Sequence, residues 1–120
     1  MGKGSGIETR RIGRSAKIAL EGKVVLGAFP GALQSEVSGA LDAGVRSIVV
    51  DASRLRLIDA AGLGELLACR AMALRAHAAL RVSGATGKVL EMLLVTGLDG
   101  LLLASDGSKP EVTELPREVA

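Results

Sequence analysis

Strand-like and helix-like segments alternate regularly after residue 30 of this 120-residue chain. The strand-like segments are 45–50 and 79–83, followed by a short one at 101–103. The segments between them carry apolar residues at helical spacing, together with residue types that start and stop helices. Strands joined by helices pair in parallel through right-handed crossovers, so this pattern predicts an α/β sheet.

The first quarter of the chain shows the apolar–polar alternation of two strands that are close in sequence. Residues 7–12 and 16–20 are predicted strands, and the turn residues 13–15 between them predict a hairpin. Residues 24–26 either extend the second strand or lead out of the sheet. The predicted fold is therefore a mixed, mainly parallel α/β sheet with helices.

A single domain is expected for a chain of this length. We place it at 7–103, after a Gly-rich polar start at 1–6 that is predicted to be flexible. Residues 104–120 contain Pro110 and Pro116 and no periodicity, so they are predicted to form a loosely ordered tail.

Three helices are predicted from residues that suit helix starts. Pro30 suits the first turn of the first helix, because its missing N–H would have no partner there. Asp59 can cap the second helix, which is expected to end near His77, and Thr86 can cap the third. The apolar stripes predicted to face the core are Leu33, Val37, Ala40 and Leu41 in the first helix, Leu63, Leu66, Leu67 and Leu74 in the second, and Val89, Leu90, Leu93 and Leu94 in the third.

Ile48, Val49 and Val50 form an uninterrupted apolar run between two polar residues. Such a run is typical of a parallel strand that is covered on both faces. We expect this strand to lie at the centre of the sheet and to end at Asp51.

The composition excludes several classes of binding protein. Phe29 is the only aromatic residue, so the core is expected to be aliphatic and no base-stacking surface for single-stranded nucleic acid is available. The net charge is +2, and the excess of positive charge in residues 1–23 is interpreted as a solvated strand face. No nucleic-acid partner is predicted.

Cys69 and His77 are each the single residue of their type. An intramolecular disulfide is therefore impossible, and neither a metal site nor any cofactor is predicted. Cys69 is interpreted as a small apolar filler of the core. A lone cysteine fits a reducing compartment, so we expect a cytoplasmic protein. No apolar run reaches the roughly 18 residues that a membrane span needs, so the protein is expected to be soluble.

The segment from Ser47 to Ala76, SIVVDASRLRLIDAAGLGELLACRAMALRA, resembles the core of the STAS family (sulphate transporter and anti-sigma factor antagonist). The family pattern is an apolar strand ending in Asp, a loop, and Ile-Asp-Ser-Ser-Gly-Leu at the start of a helix. The segments KIALEGKV and GKVLEMLLVTGLDGLLL resemble the family's preceding strand and its last helix and strand. The resemblance covers roughly 16–103 and implies a STAS-like fold that binds a protein partner.

The resemblance also implies a phosphorylation site that this chain has lost. In family members that act as anti-sigma factor antagonists, a kinase of the histidine-kinase ATPase fold phosphorylates the Ser or Thr before the motif's first Gly. That position is Ala61 here, and the position before it, often Ser, is Ala60. Phosphorylation would add about 1.5 to 2 negative charges, so Ala61 predicts a permanently binding-competent domain. Loss of the partner together with the phosphosite is the alternative.

A regulatory binding module is therefore the expected function, and its expected partner is an anti-sigma factor or serine kinase of the histidine-kinase ATPase fold. The alternative is a scaffold or transporter-associated STAS subunit that binds an ATPase or a large assembly. A homo-oligomer is compatible with either hypothesis. The expected partner-binding residues are Ser53, Leu55, Leu57, Asp59, Ala60, Ala61, Gly62, Leu63, Gly64 and Met72.

An enzyme is not predicted. Asp51 at a strand end suggests a phospho-receiver domain, but residues 13–15 and 27–30 lack the acidic pair that would hold its magnesium ion. Cys69 and His77 have no orienting group in view, which argues against nucleophilic catalysis. Ser53 and Thr86 are alternative phosphorylation sites, for which ordinary turn and cap roles are the simpler interpretation.

Overall fold

A computed structural model of the protein describes residues 6–24 and 31–103. The predictions made for Pro30, for residues 25–26 and for the tail at 104–120 lie outside these residues, as do positions 1–5 of the N-terminal prediction. The elements follow in the order β1 (Gly6–Ile12), β2 (Ser15–Val24), α1 (Ala32–Asp42), β3 (Ser47–Ile58), α2 (Ala60–Arg75), β4 (Ala79–Ser83), α3 (Gly87–Val95) and α4 (Asp99–Leu102).

β1 and β2 form the predicted antiparallel hairpin, with Ile12 opposite Ser15. Gly13 has a positive φ of 61°, which a residue without a side chain adopts at no steric cost. Glycine at the first central position is the signature of the type II′ turn, whose twist matches that of the flanking strands. The two-residue turn therefore fixes the register of the whole hairpin.

The four strands lie in the order β1-β2-β3-β4, and β3 is parallel to both of its neighbours. This arrangement confirms the predicted mixed, mainly parallel α/β fold. Both crossovers, through α1 and through α2, advance in the same direction along the sheet. Because such connections are right-handed, they place their helices on the same face.

That one-sided arrangement corrects the prediction that the central strand is covered on both faces. Val50 is fully buried, whereas its neighbour Val49 is only half-buried and Ser47 is exposed. The side chains of Lys17 and Val49 are paired on the face away from the helices, which we call the open face. The core-facing residues of the sheet are Ala16, Ile18, Leu20, Ile48, Val50, Ala52, Leu55, Ile58, Leu80 and Val82.

β3 does not end at Asp51 as predicted but continues to Ile58. β2 runs beside it to Val24, and two register shifts in this stretch let the pairing continue past Asp51. Burial of Leu55 and Ile58 anchors the second half of the strand in the core. A register shift changes which side chains face the core, so it hides the strict alternation by which a strand is recognised in a sequence.

The core stripe of α2 is also displaced from the prediction. Leu63 and Leu66 are buried as expected, but Leu74 is 52% exposed. Cys69 and Ala73 are fully buried instead, because they continue the spacing of three and four residues from Leu66. The sequence prediction chose Leu74 because its side chain is larger, but Leu74 lies one position after the buried Ala73 and outside the stripe.

The predicted strand at Ala79–Ser83 is confirmed, whereas the predicted strand at 101–103 is wrong. The chain forms the short helix α4 there, and the amides of Leu102 and Leu103 donate to the carbonyls four residues earlier. Burial of Leu102 favours this helix. Only Leu103 returns to the sheet, where it forms a single parallel bridge with Val82.

Candidate functional site

The start of α2 follows β3 with a single residue between them. Asp59 is that residue, and its backbone is extended, as is usual for a helix cap. Its Oδ1 accepts a hydrogen bond of 2.8 Å from the Gly62 amide, and its carbonyl accepts one of 2.9 Å from the Leu63 amide. The sequence prediction that Asp59 caps this helix is confirmed, and the cap holds the first turn in a fixed position.

This first turn presents very small side chains to solvent. Ala60, Ala61 and Gly64 are exposed, and Asp59 is half-buried; we call these four residues the α2 mouth. A Cβ atom added to Gly64 would meet no atom within 4 Å, so packing within the described residues does not explain the absence of a side chain there. A partner's backbone could therefore approach this helix closely.

Three of the expected partner-binding residues are buried instead. Leu55 and Leu63 are each only 4% exposed, and Gly62 is buried in the first turn. Leu57 is half-buried and lies one residue before the end of β3. The side chains of Leu55 and Leu63 hold the α2 mouth on the core and are not available at its surface.

Two further expected residues lie far from the α2 mouth. Because β3 continues as a strand, Ser53 is five residues before its end, or about 16 Å away at the usual rise. Met72 is thirteen residues after Asp59 along α2, or about 20 Å away, and it is half-buried against the core. The structure thus brings Leu57 and residues 59–64 together and separates Ser53 and Met72 from them.

Ser53 belongs to a polar cluster at the end of the open face. Its amide donates to Oδ1 of Asp51 at 3.0 Å, and Oδ2 of Asp51 lies 3.5 Å from Nζ of Lys17. The hydrogen bond from the Ser53 amide, with the nearby Lys17 ammonium, holds the pKa of Asp51 below its ordinary value, although partial burial opposes this shift. Gly84 lies so close to this cluster that an added Cβ would be 2.9 Å from Cβ of Ser53.

Glu65 has a positioning function that the sequence analysis missed. Its Oε2 lies 3.1 Å from the Leu33 amide and 3.4 Å from the Gln34 amide, so α2 satisfies the donors at the start of α1. The residue before this helix is Gly31, which has no side chain to cap it. Only the fold brings Glu65 within reach, because more than 30 residues separate it from these amides.

The other residues with potentially reactive side chains, among them Cys69 and Thr86, occupy structural positions. Cys69 is fully buried, and burial together with the nearby Glu65 raises the pKa of its thiol to about 12. Such a thiol is inert as a nucleophile. Among the described residues, no three His, Cys, Asp or Glu side chains come together as metal ligands. Thr86 is exposed at the N-cap of α3 and makes no side-chain cap hydrogen bond there.

None of the described helices is both long and apolar enough to cross a membrane.

No curated protein matches the sequence significantly. The fold, in contrast, recurs among solved structures.

These similar structures include anti-sigma factor antagonists. SpoIIAA in its unphosphorylated form matches with a TM-score of 0.69 and 22% identity, over 82% of this chain and 86% of that one. An antagonist from Mycobacterium paratuberculosis matches with a TM-score of 0.70 and 16% identity, over 82% of each chain. The phosphorylated form of SpoIIAA from Bacillus matches with a TM-score of 0.64 and 17% identity, over 82% of this chain and 89% of that one. These likenesses confirm the predicted fold.

The sequence itself matches a family model described as "Mlab, STAS domain" over residues 7–104. This range contains all the described elements except Gly6 at the start of β1, and it includes the strand, cap and helix on which the resemblance rested. The chain therefore belongs to the STAS domain family.

Proposed function

We propose that this STAS domain is a regulatory module that docks a protein partner on the α2 mouth. The supporting observation is the exposed start of α2 itself, in which Ala60, Ala61 and Gly64 follow the capping Asp59. Exposed small residues on a fixed helix end allow a partner's backbone to come close without displacing long side chains. The proposed partner is an anti-sigma factor or serine kinase of the histidine-kinase ATPase fold.

Ala61 determines how this module would be regulated. The side chain is exposed, so a hydroxyl at this position would be accessible to a kinase. A phosphate there would bring negative charge that a docked partner would have to desolvate. A methyl group carries no such charge, so the module stays in the binding-competent state and its regulation depends on the supply of partner or of competing domains.

Docking of this kind needs no covalent chemistry from the chain. Asp59 acts as a helix cap and a contact residue, and Leu57 extends the contact along the end of β3. The buried side chains of Leu55 and Leu63 support this surface by holding β3 and α2 on the core. The proposed role is therefore that of a binding module and not of an enzyme.

Substitution of Gly64 separates this proposal from a purely structural explanation. Gly64→Ala should stabilise α2 by up to about 1 kcal/mol, because alanine is the better helix former and the added methyl meets no neighbour. The same methyl would keep a partner's backbone away, so affinity for the partner should fall about tenfold or more. Thermal unfolding and titration calorimetry measure the two effects. A stabilised variant with unchanged affinity would contradict docking at Gly64.

The partner itself can be identified by affinity purification from the native cells, followed by mass spectrometry. Ala61→Glu introduces a charge at the proposed contact and should abolish recovery of the partner. Ala79→Glu is the matched control, because Ala79 is also exposed but lies at the start of β4. Recovery of an anti-sigma kinase by the wild type and the control alone would support the proposal; equal recovery by Ala61→Glu would contradict it.

The alternative function is a scaffold or transporter-associated subunit that binds an ATPase or a large assembly. The matching family model is described without reference to an antagonist, so membership of the family fits this function as well as the first. The α2 mouth would serve either partner. Recovery of a transport ATPase, lost in Ala61→Glu and kept in Ala79→Glu, would support this second function and exclude the first.

A further inference from the structure

The two outer strands of the sheet differ in how their edges are covered. On β4, Leu103 bridges Val82 and α4 packs against the strand. On β1, β2 is the one described strand that pairs, and the seven residues from Gly6 to Ile12 continue without a bulge or a proline. A regular uncovered edge of this kind is a template for pairing with another strand.

The hairpin register implies which backbone groups this edge offers. In a hairpin with a two-residue turn, the pair next to the turn, Ile12 and Ser15, exchanges hydrogen bonds, and every second pair does the same. Arg10 and Glu8 therefore direct their N–H and C=O groups towards β2. Ile7, Thr9 and Arg11 direct theirs outward, away from the sheet. Any added strand must bond to these three residues.

We propose that the added strand is β1 of a second copy of this chain, paired antiparallel about Thr9. This register joins Thr9 to its own copy and Ile7 to Arg11 of the second copy, so all three outward residues on each strand are used. It also places Glu8 opposite Arg10 of the second copy, and it does so twice because the dimer is two-fold symmetric. Both side chains of each pair lie on the open face, so they can form an ion pair.

Other registers of the same edge are unfavourable. The neighbouring registers that still use the outward backbone groups are centred one residue away from Thr9. The first of them places Glu8 opposite Glu8 of the second copy. The second places Arg10 opposite Arg10. Each shift also shortens the overlap between the strands, and like charges directly opposite each other are destabilising. The sequence of β1 therefore favours a single self-complementary register.

The charges on the open face extend this complementarity across the sheet. One row of paired residues, which we call the basic row, consists of Arg10, Lys17, Val49 and Arg81. The next row, which we call the acidic row, consists of Glu8, Ala19, Asp51 and Ser83. Pairing about Thr9 makes the basic row of each copy continuous with the acidic row of the other. The four strands of each copy then form one eight-stranded sheet.

This dimer leaves the α2 mouth outside the interface, since none of the mouth residues lies on β1. On the helix side, Thr9 already donates a hydrogen bond of 2.7 Å to Glu36 of α1, which fixes its side chain. The proposal is therefore independent of the proposed function, and each can fail without the other.

Charge substitutions in the full chain test the dimer, with sedimentation equilibrium as the measurement. Glu8→Arg and Arg10→Glu should each raise the dimer dissociation constant by about tenfold or more, because attraction becomes repulsion at both pairs. An equimolar mixture of these two variants should form a heterodimer, since their charges are again complementary. Arg11→Glu is the matched control, because Arg11 faces Ile7 of the second copy, and it should dimerise like the wild type.

A cross-link tests the register. In Thr9→Cys, the two cysteines would have Cα atoms about 5.5 Å apart, within the range of a disulfide, so oxidation should give a covalent dimer. Arg11→Cys should not cross-link in this register, and the buried Cys69 is common to both variants. A wild type that stays monomeric at every soluble concentration, equal dissociation constants for all three charge variants, or cross-linking through Arg11→Cys alone would overturn the proposal.

Discussion

Gly84 illustrates how a single residue allows the chain after β4 to pack closely against β3. Its φ of 75° lies in the left-handed region, and the Ser53 amide and Asp51 carboxylate lie within 3.2 Å of where its Cβ would be. A side chain here would be strained by the backbone and would also displace the cluster that orders the middle of β3. The close approach of two chain segments therefore requires glycine for two separate reasons.

We expect Gly84→Ala to lower the free energy of unfolding by about 2 to 4 kcal/mol, from backbone strain together with the contact with Ser53. Gly97→Ala is a matched control, because Gly97 has nearly the same φ, 74°, but open space around its Cβ. The control should lose only about 1 kcal/mol. Urea denaturation measures both values, and equal losses would show that the contact with Ser53 has no energetic role.

Asp51 should make the stability of the protein depend on acid pH. Its pKa in the folded protein is lowered, chiefly by the hydrogen bond from the Ser53 amide, so its charged form stabilises the fold. This contribution is present above the ordinary carboxyl pKa of 3.8 and is lost as the pH falls through the lower folded value. In Asp51→Asn, the acid-induced loss of stability below about pH 4 should be smaller than in the wild type. Identical profiles of unfolding free energy against pH would contradict this effect.

At the scale of the elements, α1 and α2 are joined through Glu65 as well as through their apolar contacts. The start of α1 has no capping side chain of its own, so its first amides depend on a carboxylate from the neighbouring helix. The orientation of α2, and with it that of the α2 mouth, is thereby coupled to the start of α1.

Removal of this carboxylate in Glu65→Ala should cost about 1 to 2 kcal/mol of folding free energy, because the Leu33 and Gln34 amides would lose their acceptor. Glu65→Gln keeps an amide oxygen in the same place and should lose less. Chemical denaturation compares the two variants. A loss as large in Glu65→Gln as in Glu65→Ala would mean that charge, and not the acceptor, is what matters.

The elements that could be predicted from sequence are those whose signals are local. The hairpin has its turn glycine, α2 has its capping Asp59, and β4 alternates between buried and half-exposed residues. The second half of β3 could not be predicted in the same way, because its pairing with β2 passes through two register shifts. The short helix α4 depends on the burial of Leu102, which only the assembled core provides.

The candidate site was predictable to the extent that it depends on the helix start. Asp59, Ala60, Ala61 and Gly64 adjoin one another because they lie within six consecutive residues at the start of one helix. Ser53 was assigned to the same surface on the assumption that a loop follows Asp51, and the continued strand places it elsewhere. The capping contact of Glu65 and the close approach of Gly84 are long-range, so no local pattern in the sequence could indicate them.

At the scale of the whole molecule, the sheet has one face packed on helices and one open face, and the two proposed surfaces lie apart from each other. The α2 mouth adjoins the end of β3, and the proposed self-pairing edge is β1. A dimer would therefore present two α2 mouths, and each could dock a partner.

Amide hydrogen exchange of the chain, with and without the partner recovered by affinity purification, tests the docking proposal most directly. Slower exchange across residues 57–64, with α3 and α4 unchanged, is the result we predict. The control is the same experiment with Ala61→Glu, in which the slowing should disappear. Protection confined to α3, α4 or the open face, with residues 57–64 exchanging as in the free chain, would contradict docking on the α2 mouth.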